Sequence, residues 1–315
     1  MRSRSAPARR VRLAAALAAL VLCLLASVSF FRSTQASAHS GAGLHASSSR
    51  SGSEVVLYGA LVALCPGGLW SALEATLAQA PPGLVLDIGA YDGSDAIAYA
   101  KAGHEVMSFE PVPFKVERIR AAIAESGVGS RISFHNMAMS NFTGTAPFQV
   151  MDNLARDKGE LPVGSEQDGF FVPWKGGRSV DVKVDTIDKM VGDREVLFMK
   201  IDAQGHDPMV LRGAERLLRE HRVDAFAFEV TPRLTPEPSQ YHDVLRWLHD
   251  LGYVCADCKY FKGAGLRGKT GRLAVARAGH YLDRLHDTFV EHRGGNHGAH
   301  TEFVCTHTEL PPRTD

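Results

Sequence analysis

The spacing of apolar and polar positions divides the chain near residue 54. Beyond that point, short β-rich runs alternate with helical periodicity. Leu84–Ile88 is an apolar run broken only by Asp87, and it predicts a strand buried on both faces. A helical pattern follows and ends near Gly103. Glu105–Phe109 predicts the next strand, and Pro113–Ser126 the next helix. A strand at Arg131–Met137 leads into a region, to about Thr186, that reads as irregular or as a hairpin. Then come a strand at Val196–Ile201, a helix over Pro208–Glu220, a strand at Asp224–Val230 and a helix over Gln240–Leu251. Late strands fall near Tyr253 and at Glu302–Thr306. Strands alternating with helices predict an α/β fold, a doubly wound, Rossmann-like parallel sheet covered on both faces.

The first 53 residues follow other rules. They contain no acidic side chain, while Arg2, Arg4, Arg9, Arg10, Arg12, Arg32 and Arg50 are basic. Leu13–Phe31 has neither charge nor proline. As a helix it would reach roughly 28 Å, about the hydrocarbon thickness of a bilayer. Basic residues ahead of it place residues 1–12 in the cytosol and the remainder across the membrane. The expectation is a signal anchor at 13–31 and a single-pass type II protein of the secretory pathway, with the Golgi as its station. Ala36-Ser37-Ala38 offers a small-x-small site, so a cleaved and secreted form is the alternative. An acid-free Arg/Ser/Ala-rich leader also suits an organelle transit segment. Residues 32–53, rich in Ser, Ala, Gly and His, read as a stem, and 54–315 as one globular domain. In a secretory compartment Asn141-Phe142-Thr143 is a glycosylation sequon.

In a doubly wound sheet, ligands bind outside the carboxyl ends of the strands. The first strand closes in Asp87-Ile88-Gly89-Ala90-Tyr91-Asp92-Gly93, where Gly89 and Gly93 allow a tight turn and a close ligand. The second closes in Glu110, where a carboxylate can accept both ribose hydroxyls. Tyr91 occupies the place of the middle glycine of the dinucleotide fingerprint, and Asp87 lies beneath the loop. A carboxylate there would repel pyrophosphate and attract a cation. S-adenosylmethionine, with a ribose, a sulfonium and no phosphate, satisfies that charge. The strand at Val196–Ile201 closes in a polar cluster. Within it Asp202 and His206 are the candidate catalytic bases for an acceptor hydroxyl, and Glu229 on the next strand is a further one. Asp207-Pro208 reads first as a helix cap.

Composition narrows the partners. The chain has 35 Lys+Arg against 35 Asp+Glu, so no net basic charge favours nucleic acid. At 45% hydrophobic and 22% charged it is neither fibrous nor wholly disordered. Gly263–Thr270 fits the phosphate-loop pattern, which keeps a membrane-tethered sulfotransferase or kinase as an alternative, although little chain follows it for such a fold. Cys255 and Cys258 form one C-x-x-C without a second, and the late histidines lack ligand spacing, so no zinc site is expected; the residues demand no metal, although the clustered Asp and His beside the cleft leave room for one. A disulfide to Cys65 or Cys305, or buried thiols, is the better reading.

The run from Val85 to Ile123, then Phe134–Gly144, Val184–Met190 and Met199–Leu218, resembles the FkbM-type S-adenosylmethionine-dependent methyltransferases. The resemblance covers about 84–230, and Lys200–Ala214 is its most specific piece. It implies a seven-stranded methyltransferase sheet and O-methylation of a sugar or other hydroxyl, so a small-molecule or glycan acceptor. It places Asp87, Gly89, Tyr91, Gly93, Glu110 and the segment from Asn136 to Ala138 in cofactor motifs. Tyr91 stands where the family usually has Asn, and Asp207 where it usually has Glu. A catalytically silent, methyltransferase-like binding module is the other alternative.

Overall fold

The computed structural model describes residues 77–151, 168–171, 177–231, 234–235, 237, 239–257 and 301–307. The anchor at 13–31, the stem, the domain boundary at 54, Cys65, Cys258 and the 263–270 loop lie outside the described residues. The chain divides into two compact units, Met1–Pro81 and Pro82–Asp315. Among the described residues no helix is long and apolar enough to cross a membrane.

The second unit is built on a seven-stranded sheet. Its strands are β1 (Leu84–Ile88), β2 (Glu105–Phe109), β3 (Ile132–His135), β7 (Val196–Ile201), β8 (Val223–Val230), β9 (Tyr253–Asp257) and β10 (Thr301–His307). They lie in the order β3-β2-β1-β7-β8-β10-β9. The first five pair in parallel, and β10 inserts antiparallel between β8 and β9. All five residues of β1 are buried. Central parallel strands are covered on both faces, which is why this one reads as an apolar run interrupted only by Asp87.

Helices supply the cover: α1 (Ser94–Lys101), α2 (Val116–Glu125), α3 (Ile187–Val191), α4 (Asp207–Arg212), α5 (Glu215–Arg219) and α6 (Ser239–Asp250). In α6, Tyr241, Val244, Leu245 and Leu248 recur at helical spacing and are buried with Phe226 and Phe228 of β8. The helix predicted over Pro208–Glu220 is two helices. The chain leaves helical geometry at Ala214 (φ −107°, ψ 17°), and Gly213 just before it lets the Ser140 carbonyl oxygen pack against the helix end, where a Cβ would collide with it. Asp207 does not cap the helix. Its carboxylate accepts from the backbone N–H of Gly205 and of Glu229, both at 3.2 Å, tying the β7–α4 turn to β8.

The region before Thr186 takes the hairpin form, one of its two expected readings. Gly144–Met151 (β5) and Gly177–Asp185 (β6) pair antiparallel, and Ala138–Met139 (β4) joins β6 in parallel. This three-stranded sheet has its own apolar cluster of Val112, Ala138, Phe148, Val150, Val182 and Val184. The expected strand at Arg131–Met137 therefore ends at His135, and the chain moves into the small sheet.

Candidate active site

The strand order reverses between β1 and β7, and a cavity of about 320 Å³ opens at the carboxyl ends there. That is within the size range of small-ligand sites. Its floor is made where two loops interlock. Gly89, at φ +87°, lets the Asp202 carbonyl come into backbone contact, and a Cβ would occupy the same space. The Asp202 N–H also donates to Ile88 O at 2.9 Å. The loop after β1 and the loop after β7 are thus fixed to each other.

Glu110 closes β2 on one side of this floor. Its Oε2 accepts the Tyr91 N–H at 2.9 Å and its Oε1 the Val112 N–H at 3.0 Å. Burial pushes its carboxyl above the usual range, while Lys115 and the two N–H groups pull it back. The Lys115 ammonium lies 3.6 Å from Glu110 Oε1 and 3.1 Å from Asp168 Oδ2, and 4.8 Å from the centre of the Tyr91 ring. Tyr91 itself is left-handed at φ 53°, a conformation that suits Asn better than an aromatic residue.

The opposite wall belongs to the β7 loop. Gln204 donates to Asp202 Oδ1 at 2.5 Å and reaches Glu229 Oε2 at 3.4 Å, so one amide bridges two carboxylates. Phe148 and Phe170 close the cavity above, their rings meeting edge to face at 5.1 Å. Gly169, beside Phe170, is bound to Gln149 through both backbone groups, at 2.8 and 3.0 Å.

Several expected site residues stand elsewhere. Asp87 does not line the cavity. It is fully buried under the floor, where Ser108 Oγ donates to it at 3.1 Å and the Lys200 ammonium faces it at 3.7 Å. Burial pushes its carboxyl up to about 6, against the pull of Lys200. Lys200 also meets Asp95 at 2.6 Å, and the surrounding carboxylates hold it protonated. The expected anionic group under the nucleoside is therefore neutralised from below.

His206 is also outside the lining. Its Nε2 pairs with Ser140 Oγ at 2.9 Å and its ring packs on Phe170 at 4.2 Å. Burial lowers it to about 4, so it is neutral at physiological pH. Asn136 braces the turn from outside, donating to the carbonyls of Glu110 and Pro111 at 2.8 and 3.1 Å. Gly93 turns the chain into α1 at φ +84° without touching the cavity. Gly89, Tyr91, Glu110, Ala138 and Asp202 do line it.

The attraction for a cation comes from other residues. Among the described residues of the lining, Asp92, Asp95, Glu110, Asp168, Asp202 and Glu229 stand against Lys115 and Lys200. The sequence reading missed Asp168 and Phe170, because the region around them carries no motif. It missed Lys115 and Lys200 because a lysine in a polar run signals nothing before its partners are known. No group of acidic, His or Cys side chains among the described residues could hold a metal ion.

A mostly parallel sheet with a carboxylate-lined cleft at its switch point has the form of a Rossmann-like methyltransferase. Residues 87–255, more than half the chain, match the methyltransferase FkbM domain, and the chain belongs to that family. S-adenosylmethionine is the methyl donor of the family. The methyltransferase FkbM of Methylobacillus flagellatus KT is 18% identical over 56% of this chain and 40% of its own, with a TM-score of 0.39. This chain thus spans about two fifths of that protein's length. The O-methyltransferase TomG of Streptomyces achromogenes, solved with S-adenosylmethionine, is 11% identical over 76% of this chain and 79% of its own, at a TM-score of 0.37. A methyltransferase of Geobacter sulfurreducens, solved with S-adenosyl-L-homocysteine, is 11% identical over 75% and 88%, at 0.36. No curated protein matches the chain.

Proposed function

We propose that this protein is an O-methyltransferase that uses S-adenosylmethionine to methylate a hydroxyl on a glycan or other secretory-pathway acceptor. In this reading it is tethered to the membrane through residues 13–31. The observation that carries it is the pair Asp202 and Glu229, bridged by Gln204 in the cavity that Glu110 also lines. One wall offers a ribose-binding carboxylate and the other a proton acceptor, and the interlocked loops keep them in register.

The residues fit the cofactor. Glu110 keeps lone pairs for two ribose hydroxyls beside its backbone bonds, and the excess of carboxylates suits a sulfonium and an ammonium. When bound, S-adenosylmethionine supplies an electrophilic methyl group. Asp202 receives the proton of the acceptor hydroxyl at Oδ2, since Gln204 occupies Oδ1. Glu229 holds Gln204 from the other side. Phe148 and Phe170 exclude water from the space between, and most of the acceleration comes from fixed positions rather than from strong acid–base chemistry. His206 is a positioning residue: it locks Phe170 against Ser140. The disulfide Cys255–Cys305 supports the compartment, because such bonds are rare in the reducing cytosol.

Calorimetry on the full chain with S-adenosylhomocysteine and ATP in parallel tests the cofactor half. The expected result is binding of the first alone, weakened roughly 10- to 100-fold in Glu110→Gln, the range for charge-assisted hydrogen bonds. Incubation with methyl-labelled S-adenosylmethionine and a pool of released glycans tests the acceptor half. A base-stable labelled methyl ether is expected. Label in base-labile esters overturns the hydroxyl acceptor, label on nitrogen overturns O-methylation itself, and a preference for ATP overturns the whole.

A further inference from the structure

We propose that Asn141 carries an N-linked glycan. The inference rests on the secretory placement above, and three observations converge on it. The first is position. Asn141-Phe142-Thr143 forms the turn between β4 and β5, and all three residues are exposed. The Asn141 side chain accepts one bond, from Ser140 Oγ at 3.3 Å, and its amide nitrogen has no partner among the described residues. Nothing in the fold needs that nitrogen, so a sugar there displaces no contact.

The second is the neighbouring surface. Phe142 is 41% exposed, one of two large apolar side chains so exposed among the described residues. A glycan on the preceding residue would shield this ring from water. Beside Asn141 lies a shallow groove of charged side chains, among them Asp188, Arg212 and Arg216, which suits the hydroxyls of the first sugars. That groove shares no residue with the cofactor cavity, so the modification leaves the active site open.

The third is redox state. Cys255 and Cys305 face each other across β9 and β10 and are joined as a disulfide. A chain that forms this bond is folding in an oxidising compartment, which is also where oligosaccharides are transferred to asparagine.

The chemistry is an ordinary substitution. The donor is a lipid-diphosphate-linked oligosaccharide. A bond forms between Asn141 Nδ2 and the anomeric carbon, the bond from that carbon to the diphosphate oxygen breaks, one amide proton is released and the lipid diphosphate departs. No oxidation state changes. The structure also sets the timing. Thr143 Oγ1 donates to Asp185 Oδ1 at 2.7 Å, across the junction with β6. The sequon hydroxyl is therefore engaged once β6 has docked, and the transfer precedes that step.

Full-length protein from a eukaryotic secretory host, mapped by mass spectrometry without reduction, tests this. Treatment with peptide N-glycosidase in heavy-oxygen water is expected to convert Asn141 to a labelled Asp and to shift the protein's mobility. The shift is lost in Asn141→Gln and in Thr143→Ala and persists in Thr143→Ser. Affinity for S-adenosylhomocysteine is unchanged in Asn141→Gln, which confirms that the variant folds. Unmodified Asn141 in a chain whose Cys255–Cys305 peptide is disulfide-linked overturns the proposal and spares the compartment. Unmodified Asn141 together with free thiols overturns both.

Discussion

Two groups beside the cavity, buried Asp87 and half-buried His206, titrate in the same pH range with opposite consequences. Asp87 is raised from 3.8 to about 6 by burial, so the folded chain holds its proton more tightly than the unfolded chain does. Between about pH 4 and 6 its contribution to stability therefore falls as pH rises, by on the order of 3 kcal/mol. His206 is lowered from 6.5 to about 4, so the unfolded chain binds the proton more tightly and stability rises with pH over that window. Asp87→Asn is expected to make the pH dependence of the urea midpoint more positive, and His206→Gln to make it more negative. Parallel slopes for both variants would contradict the burial of one of the two. The residue scale also separates the proposed base from its supports. Asp202→Asn should lower kcat roughly 10²- to 10⁴-fold with little change in S-adenosylhomocysteine affinity. His206→Gln, acting through Phe170, should cost far less and should shift no pKa of the pH–rate profile. A loss of cofactor binding in Asp202→Asn would assign that carboxylate to the cofactor instead.

At the scale of elements, two contacts decide how the strands are held. Gly213, at the end of α4, lets the backbone of Ser140, just past β4, pack against it. Gly213→Ala forces these apart and is expected to lower stability by about 1–3 kcal/mol, read from the denaturant midpoint. An unchanged midpoint would mean that the two helices can part without loss. The Cys255–Cys305 disulfide joins β9 to β10, strands that are 50 residues apart at the bonded positions. Cys305→Ser should destabilise the fold by about 2–4 kcal/mol, with a matching fall in Tm when the natural chain is reduced. Identical Tm values with and without reductant would count against the bond. Most elements were legible beforehand. β1, β2 and β7 fall where the apolar runs place them, since a strand buried on both faces is apolar at nearly every position. The requirement for glycine at 213 was not legible, because the backbone it admits lies 73 positions away at Ser140. The small sheet was legible only as a hairpin: Val180, Val182 and Val184 alternate with polar residues in β6, but the short strand β4 that joins it carries no such pattern.

For the whole molecule, the cavity is the point where separate parts of the chain meet. β1, β2 and β7 deliver Gly89, Glu110 and Asp202, while the small sheet and its insertion deliver Phe148, Asp168 and Phe170. A ligand that engages both sides should stabilise the fold as one unit. S-adenosylhomocysteine at 100 times its Kd is expected to add about 2.7 kcal/mol and to raise Tm, and ATP at the same concentration to add nothing. An equal shift with ATP would show that the carboxylate lining does not discriminate by charge.

The sequence by itself determined the sheet, its winding and the ends of the strands where a ligand must sit, because apolar periodicity and glycine turns act locally. It also marked Glu110, Tyr91 and Asp202, which hold their places through the strands that carry them. The tertiary structure alone decided the electrostatics of the site. Asp87 looked like the charge that selects the cofactor until Lys200 appeared beneath it, and His206 looked like a base until Ser140 and Phe170 closed around it. A side chain's charge and basicity depend on its distance from partners remote in sequence and on its exclusion from water, and no local pattern encodes either quantity.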